Sequence, residues 1–369
     1  MKPSPRVTPA MSGSRLQFLD GLRGVALILM VVNHTSRDWM DAGVGMGWAR
    51  YYLVYGSLIL PASIFLFVAG FCLPISYHRR RVSEGFVGDL RKSFRRGIGI
   101  IAAGYAINVI MLPRPPVPPE DQVWHGGVLQ TIGLGVILLG PLVPALRRAW
   151  ARWALLAIAV LGYLSFGWAY PALMRWCAAH PVLGSMAFGD FPPWPWLAAA
   201  LIGLVLGWVW LEARVPGPAA EARYFAVAAV VGLVFLVAYD AWEWWIPTTP
   251  RFGFPRDFGL NHYWTPRGVT TFLIVAGTAW LLALCYWLME VRQWRAPWLV
   301  TLGQTALVLY FAHQVIEETI IHRALGLRFN NWLAYWAATI ALIVLCVYMG
   351  RAWLAVKPRL RRLAGQGTA

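Results

Sequence analysis

Apolar residues in this chain gather in blocks of about twenty, the length a helix needs to cross a bilayer, divided by short charged, Gly-rich or Pro-rich stretches. The blocks fall at 18–36, 55–77, 94–112, 127–146, 152–170, 194–212, 223–241, 269–289, 297–316 and 330–354. This pattern predicts an all-α fold, a polytopic membrane bundle of about ten transmembrane helices. One transmembrane domain is expected at 15–358, between a flexible cytoplasmic tail at 1–14 and a second cytoplasmic tail at 359–369. The opening MKPSPRVTPAMSGS has no apolar run before a small-residue cleavage site, so it does not read as a secretory signal.

The first block differs from the rest. RLQFLDGLRGVALILMVVNHTSRDWMD, Arg15–Asp41, places ionisable groups at both ends of an apolar helix. At 100° per residue, the step from Arg23 to His34 returns to within about 20° of one face, roughly 16 Å along the axis. Asp20, Arg23, Leu27, Met30 and His34 then share a stripe. Ionisable groups in membrane helices face a bundle interior or a watery cavity because lipid solvates them poorly. The stripe is therefore expected to point inward, as a candidate active-site wall. The plainer reading keeps Asp20 and Arg23 as a helix-end pair and His34 as a neutral ring bonded to a backbone carbonyl.

Composition and charge narrow the class. With 59% hydrophobic residues, 13% charged residues and 22 Trp, the chain is no ordinary soluble globule. If the N-terminus is inside, the ten blocks put 23 of the 32 Lys and Arg on the cytoplasmic side and 9 outside, against 6 and 10 of the acids. The net +16 then divides into +17 and −1, as the positive-inside rule requires with both termini cytoplasmic. Topology thus explains the basic excess without nucleic acid, since Lys and Arg flank the spans rather than alternate with exposed aromatics. Trp194, Trp196, Trp242, Trp244 and Trp245 read as interfacial belts. Cys72, Cys177, Cys285 and Cys346 are scattered singly, with neither a disulfide framework nor a zinc spacing. No metal is expected.

Two resemblances sharpen this. DGLRGVALILMVVNH resembles the opening signature of the integral-membrane acyltransferase type 3 family, in which an arginine, ten residues and a histidine recur in the first helix, here Arg23 and His34. LPASIFLFVAGFCLPIS resembles that family's phenylalanine-rich run ending in Ser-Gly-Phe, with Ala69 where the serine is usual, a departure that removes this position from the chemistry. GVLQTIGLGVILLG and FPPWPWLAAALIGLVLG resemble segments of bacterial proteins related to heparan-α-glucosaminide N-acetyltransferase. These resemblances imply a multi-pass enzyme of the bacterial inner (plasma) membrane. It would move an acyl group, above all acetyl from cytoplasmic acetyl-CoA, to a hydroxyl or amine of a glycan or lipid-linked acceptor. O-acetylation in polysaccharide modification of the cell envelope is one such task. His34 would act as general base or transient acyl carrier. Arg23 would anchor donor phosphates or stabilise charge on the thioester, and Asp20 would orient Arg23.

Arg91, Lys92, Arg95 and Arg96 share a face at the mouth of the third block. The type 3 family carries a donor-binding basic pair near this point, so the cluster is the expected seat for the 3′-phosphate and pyrophosphate of acyl-CoA. Arg79, Arg80 and Arg81 read as a topology signal against anionic lipid.

The remaining polar positions carry weaker expectations. Arg37 can pair with Asp41, four residues on. LPRPPVPPEDQVWHGG reads as a stiff outer loop, with His125 and Gln130 expected to cap or border the next span. DAWEWWIPTTPRFGFPRDFGLNHYWTPRG sets Asp240, Glu243, Arg251, Arg256, Asp257, His262 and Arg267 among aromatics, a composition that suits sugar faces and hydroxyls. LGQTALVLYFAHQVIEE resembles the type 3 family's late helix, and His313 and Glu317 within it are spaced to pair. A transporter or flippase with inward Arg23 and His34 is the alternative from another class, and a scaffold without chemistry is a third. No internal repeat or matched pair of broken helices points to a transporter.

Overall fold

The computed structural model describes residues 15–40, 57–81, 85–111, 123–245 and 268–363. Among these the chain is helical apart from short turns, with no strand. The helices are α1 (Gln17–Asp38), α2 (Ser57–Arg81), α3 (Gly85–Ile110), α4 (Val128–Leu139), α5 (Ala149–Ala179), α6 (Pro181–Phe188), α7 (Pro193–Arg214), α8 (Pro218–Trp245), α9 (Gly268–Tyr286), α10 (Pro297–Gln304), α11 (Ala306–Gln314) and α12 (Trp332–Leu363). A 3₁₀ segment, Gly140–Arg147, continues α4, and π-wound turns follow α9 at Trp287–Val291 and α11 at Val315–Ala324.

Among the described residues seven helices are long and apolar enough to cross a membrane, or eight if α10 and α11, bent by 82°, form one broken span. Seven of the ten expected blocks thus coincide with such helices, and an eighth, 297–316, with the bent pair. The blocks at 94–112 and 152–170 are also helical but fall short as spans among the described residues. α3 opens with Asp89, Arg91, Lys92, Arg95 and Arg96, which confines its apolar part to the second half. In α5 the described apolar stretch is Ala149–Tyr163. At the other end, α12 runs on to Leu363, past the expected stop at 354.

The chain divides into two compact units, Ser63–Ala283 and Leu16–Ala62 with Leu284–Ala369. In the first, glycines let helices approach to backbone distance. A side chain on Gly70 would meet the Ala200 carbonyl, and side chains on Gly203 and Gly207 would meet the main chain of Phe67 and Phe71. This small-xxx-small crossing of α2 on α7 gives the Ala-Gly-Phe run a packing role. α3 and α4 meet likewise at Gly97 and Gly133. Leu73, Val136, Leu146, Leu204 and Trp208 fill the core between these helices.

The second unit joins the first helix of the chain to its last ones. α1 has Asp20 in its first turn and Arg37 in its last, each favourable toward the helix dipole. Gly24 lies against the main chain of Leu299, Gly303 against the carbonyl of Asp20, and Phe18 meets Tyr286 edge-on at 5.8 Å. The break between α10 and α11 is lined by threonines. Thr301 and Thr305 donate their hydroxyls to the carbonyls of Pro297 and Thr301, each at 2.7 Å. Such back-bonding satisfies carbonyls beside a bend, which water would do outside a membrane.

Candidate functional site

The stripe on α1 is held inside its unit. Asp20, Leu27, Met30 and His34 are buried, and Arg23 is 24% exposed at its side chain. Near the start of the helix, Arg23 Nη1 donates to Asp20 Oδ1 at 3.0 Å. Such a contact is what the helix-end pair and the orienting role of Asp20 would each require.

His34, near the other end of the stripe, is paired across the unit. Its Nδ1 lies 3.1 Å from Nε2 of His313 on α11, with the rings 17° from parallel and their centres 5.2 Å apart. His313 is buried, and its Nδ1 is 2.7 Å from the Leu309 carbonyl. The backbone carbonyl expected beside His34 is therefore found beside His313 instead. Around this pair the last turn of α1 is bonded in tightly. Thr35 and Ser36 donate to the carbonyls of Val32 and Asn33 at 3.2 and 2.8 Å. Tyr335 on α12 donates to Val32 O at 3.2 Å, and Thr339 reaches Thr35 at 3.2 Å. Trp39 gives its indole N–H to the Glu317 carbonyl at 3.2 Å.

Acidic groups converge beside that turn. Asp38, Glu317 and Glu318 are buried with carboxylate oxygens within 4.8 Å of one another, a spacing that suits a cation. Arg37 pairs with Asp38 through two contacts of 2.9 and 2.8 Å, and Arg323 with Glu318 at 2.8 Å. Two guanidinium charges thus already offset two of the three acids. Arg37 takes Asp38 as its partner, while Asp41 lies outside the described residues. Glu317, spaced to pair with His313, falls instead with Asp38 and Glu318 because the chain from Val315 is π-wound. An i,i+4 step no longer stacks side chains where the turn is wider.

The basic cluster lies in the first unit. Arg91, Lys92, Arg95 and Arg96 are exposed on α3, while Ser93 between them and Gly97 just after them are buried. The four cations therefore lie on the exposed side of α3, where Phe94 and Ile98 are exposed as well.

His125 and Gln130 take capping and bracing roles. Gln130 accepts from the Gly127 N–H at 3.1 Å and donates to the His125 carbonyl at 3.3 Å. His125 bridges Ser185 at 3.2 Å and the Asp190 carboxylate at 3.0 Å. Burial lowers its pKa, and the hydrogen bond and charge of Asp190 outweigh that and raise it. The Asp190 main-chain N–H also lies 3.1 Å from Nε2, so the protonated ring donates to the carboxylate and the neutral ring can accept from the N–H, and either way it ties the α6–α7 turn to the chain before α4. Asp240, Glu243 and Trp242 to Trp245 lie where no side chains are described, and Arg251, Arg256, Asp257, His262 and Arg267 lie outside the described residues, as does the loop at 112–122.

Residues 15–243 match the family described as heparan-alpha-glucosaminide N-acetyltransferase, catalytic. The chain belongs to that family. No curated protein matches it. Membership of the heparan-alpha-glucosaminide N-acetyltransferase family makes the chain an acetyltransferase, and its apolar helices make it a multi-pass membrane protein. The resemblance read from GVLQTIGLGVILLG and FPPWPWLAAALIGLVLG is borne out. The matched stretch contains Asp20, Arg23, His34 and the cluster at 91–96, and stops before α9. His313, Glu317 and Glu318 stand beyond it. Sequence reasoning read His313 and Glu317 as spaced to pair with each other and did not single out Glu318, because their partners on α1 are some 280 positions away, where no spacing rule reaches.

Proposed function

We propose that the protein transfers an acetyl group from cytoplasmic acetyl-CoA to an amine or hydroxyl of a glycan or lipid-linked acceptor in a bacterial inner membrane, with ten spans and both termini cytoplasmic. His34 is the general base or a transient acyl carrier, Arg23 stabilises charge on the thioester or holds donor phosphate, and Asp20 orients Arg23. Arg91, Lys92, Arg95 and Arg96 receive the CoA phosphates. The observation that carries this reading is a buried imidazole on the first helix of a chain matched to an acetyltransferase family. Histidine titrates near operating pH, so it suits removal of a proton from an attacking amine or hydroxyl. The Arg23-to-His34 spacing, as in the type 3 acyltransferases, supports the same roles. The amine acceptor follows the family's name, and an O-acetylating role in the cell envelope is the neighbouring case.

The test is the thermal midpoint of purified protein in detergent with acetyl-CoA, CoA or a charge-matched nucleotide, combined with labelled acetyl transfer to an alkyl glucosaminide. A ligand at a hundred times its Kd stabilises by about 2.7 kcal/mol. CoA species are expected to stabilise the wild type, less so Arg95→Ala, and fully His34→Ala, which transfers nothing. The 82° break between α10 and α11 favours a second reading as a transporter, because broken helices line substrate paths. Absence of stabilisation by every CoA species would move the assignment there.

A further inference from the structure

The hydrogen bonds of the two histidines fix which nitrogen of His34 is basic. A carbonyl only accepts, so Nδ1 of His313, 2.7 Å from Leu309 O, carries a hydrogen. With both rings neutral, Nε2 of His313 is then an acceptor. Nδ1 of His34 stands 3.1 Å from it and must donate. Nε2 of His34 is left as the nitrogen without a proton. We infer that His313 is the positioning residue of the acetyl transfer, holding His34 as its Nδ1–H tautomer so that Nε2 is the base. This rests on the function proposed above.

The step balances through that atom. Nε2 takes a proton from the acceptor amine or hydroxyl as the acceptor's nitrogen or oxygen bonds to the acetyl carbonyl carbon. The carbon–sulfur bond breaks, its electron pair leaves on the CoA sulfur, and that sulfur receives the proton from Nε2. Acetyl-CoA and acceptor become acetylated acceptor and free CoA. While Nε2 holds the proton, His34 is cationic and its bond to His313 becomes charge-assisted, which strengthens it. His313 cannot follow by rotating away. Its other nitrogen is tied to Leu309, Tyr310 packs edge-on at 5.8 Å, and the residue is fully buried. A neutral imidazole thus does here what a carboxylate does in a Ser-His-Asp triad, orienting the base and stabilising its protonated form.

The experiment uses full-length protein labelled with ¹⁵N-histidine in detergent. His34 is assigned among the 7 histidines by difference from His34→Gln. Two-bond ¹⁵N–¹H correlation distinguishes the tautomers directly. The wild type is expected to show His34 with Nδ1 protonated and Nε2 bare. In His313→Leu the Nε2–H tautomer should appear, and in His313→Gln, whose amide oxygen accepts and whose amide nitrogen donates to Leu309, the Nδ1–H form should return. Acetyl transfer to an alkyl glucosaminide should follow, with kcat down about a hundredfold in His313→Leu, the KM for acetyl-CoA unchanged, and His313→Gln within about tenfold of wild type. Adding His313→Leu to His34→Ala should cost nothing more.

A proton on Nε2 of His34 in the wild type overturns the inference, as does a His313→Leu variant that melts early but keeps the wild-type tautomer and kcat. If the wild type transfers no acetyl group, the proposed function fails instead. The tautomer spectrum still reads the geometry by itself.

Discussion

Arg23 and Asp20 form an ion pair of 3.0 Å across one turn of α1, with the carboxylate buried and the guanidinium a quarter exposed. The acid therefore anchors and the base projects. In a half-buried site a guanidinium held this way loses little freedom when it meets an anion. Arg23→Ala is expected to lower kcat about 10²-fold, the scale for loss of one donor to developing charge. Asp20→Asn should cost about tenfold, since the amide still holds the arginine but less firmly. Unchanged kinetics in both variants, with lowered thermal midpoints, would reduce the pair to a helix-end brace.

Gly24 meets the main chain of Leu299, and a helix backbone cannot move aside as a side chain can. Gly24→Val should destabilise by about 1–3 kcal/mol, the usual cost of overpacking. Thermal unfolding in detergent measures it. Gly99, beside which there is open space, is the control, and Gly99→Ala should leave the midpoint in place or raise it.

Arg152 holds Glu212 through two bonds of 2.7 and 2.5 Å, and the Trp208 indole N–H reaches the same carboxylate at 2.9 Å. An isolated pair at a half-exposed site contributes under about 1 kcal/mol. A fork with a third donor lies at the upper end of that range. Glu212→Ala is expected to lower stability by about 1 kcal/mol, with most of the loss removed by 0.5 M salt in the wild type as well.

His125 and Asp190 make stability depend on pH. The folded pKa of His125 is raised, so the contribution of its pair is complete below the ordinary histidine value of about 6.5 and fades as pH climbs through the folded value. The thermal midpoint should therefore fall from pH 6 to pH 9. Asp190→Asn should flatten that part of the curve. An identical slope in the variant would assign the dependence to other groups.

The legible parts of the fold were those written in local sequence. The α1 stripe, the exposed face of Arg91, Lys92, Arg95 and Arg96, and the capping by Gln130 each follow from helical spacing or from a Gly-Gly-x-x-Gln start. What was not legible depended on distant chain or on altered winding. The bond between His34 and His313 joins residues 279 apart. The acids at 317 and 318 come to Asp38 only because the chain after Gln314 is π-wound, and a turn wider than 3.6 residues leaves no mark in apolar periodicity. Gly70 read as part of a family signature and proved to be the contact point of α2 on α7.

The placement of α1 in one unit with Leu284–Ala369 has a consequence for biosynthesis. The ribosome delivers α1 first and its packing partners last. At 5–20 residues per second, the roughly 250 residues between them take on the order of 10–50 s to appear. For that interval a helix bearing Asp20, Arg23 and His34 stands in the membrane without Leu299, Gly303 or His313 beside it. The intrahelical bond between Arg23 and Asp20 is available from the start, and it lets the newborn helix hold two opposite charges in lipid until the rest of its unit arrives.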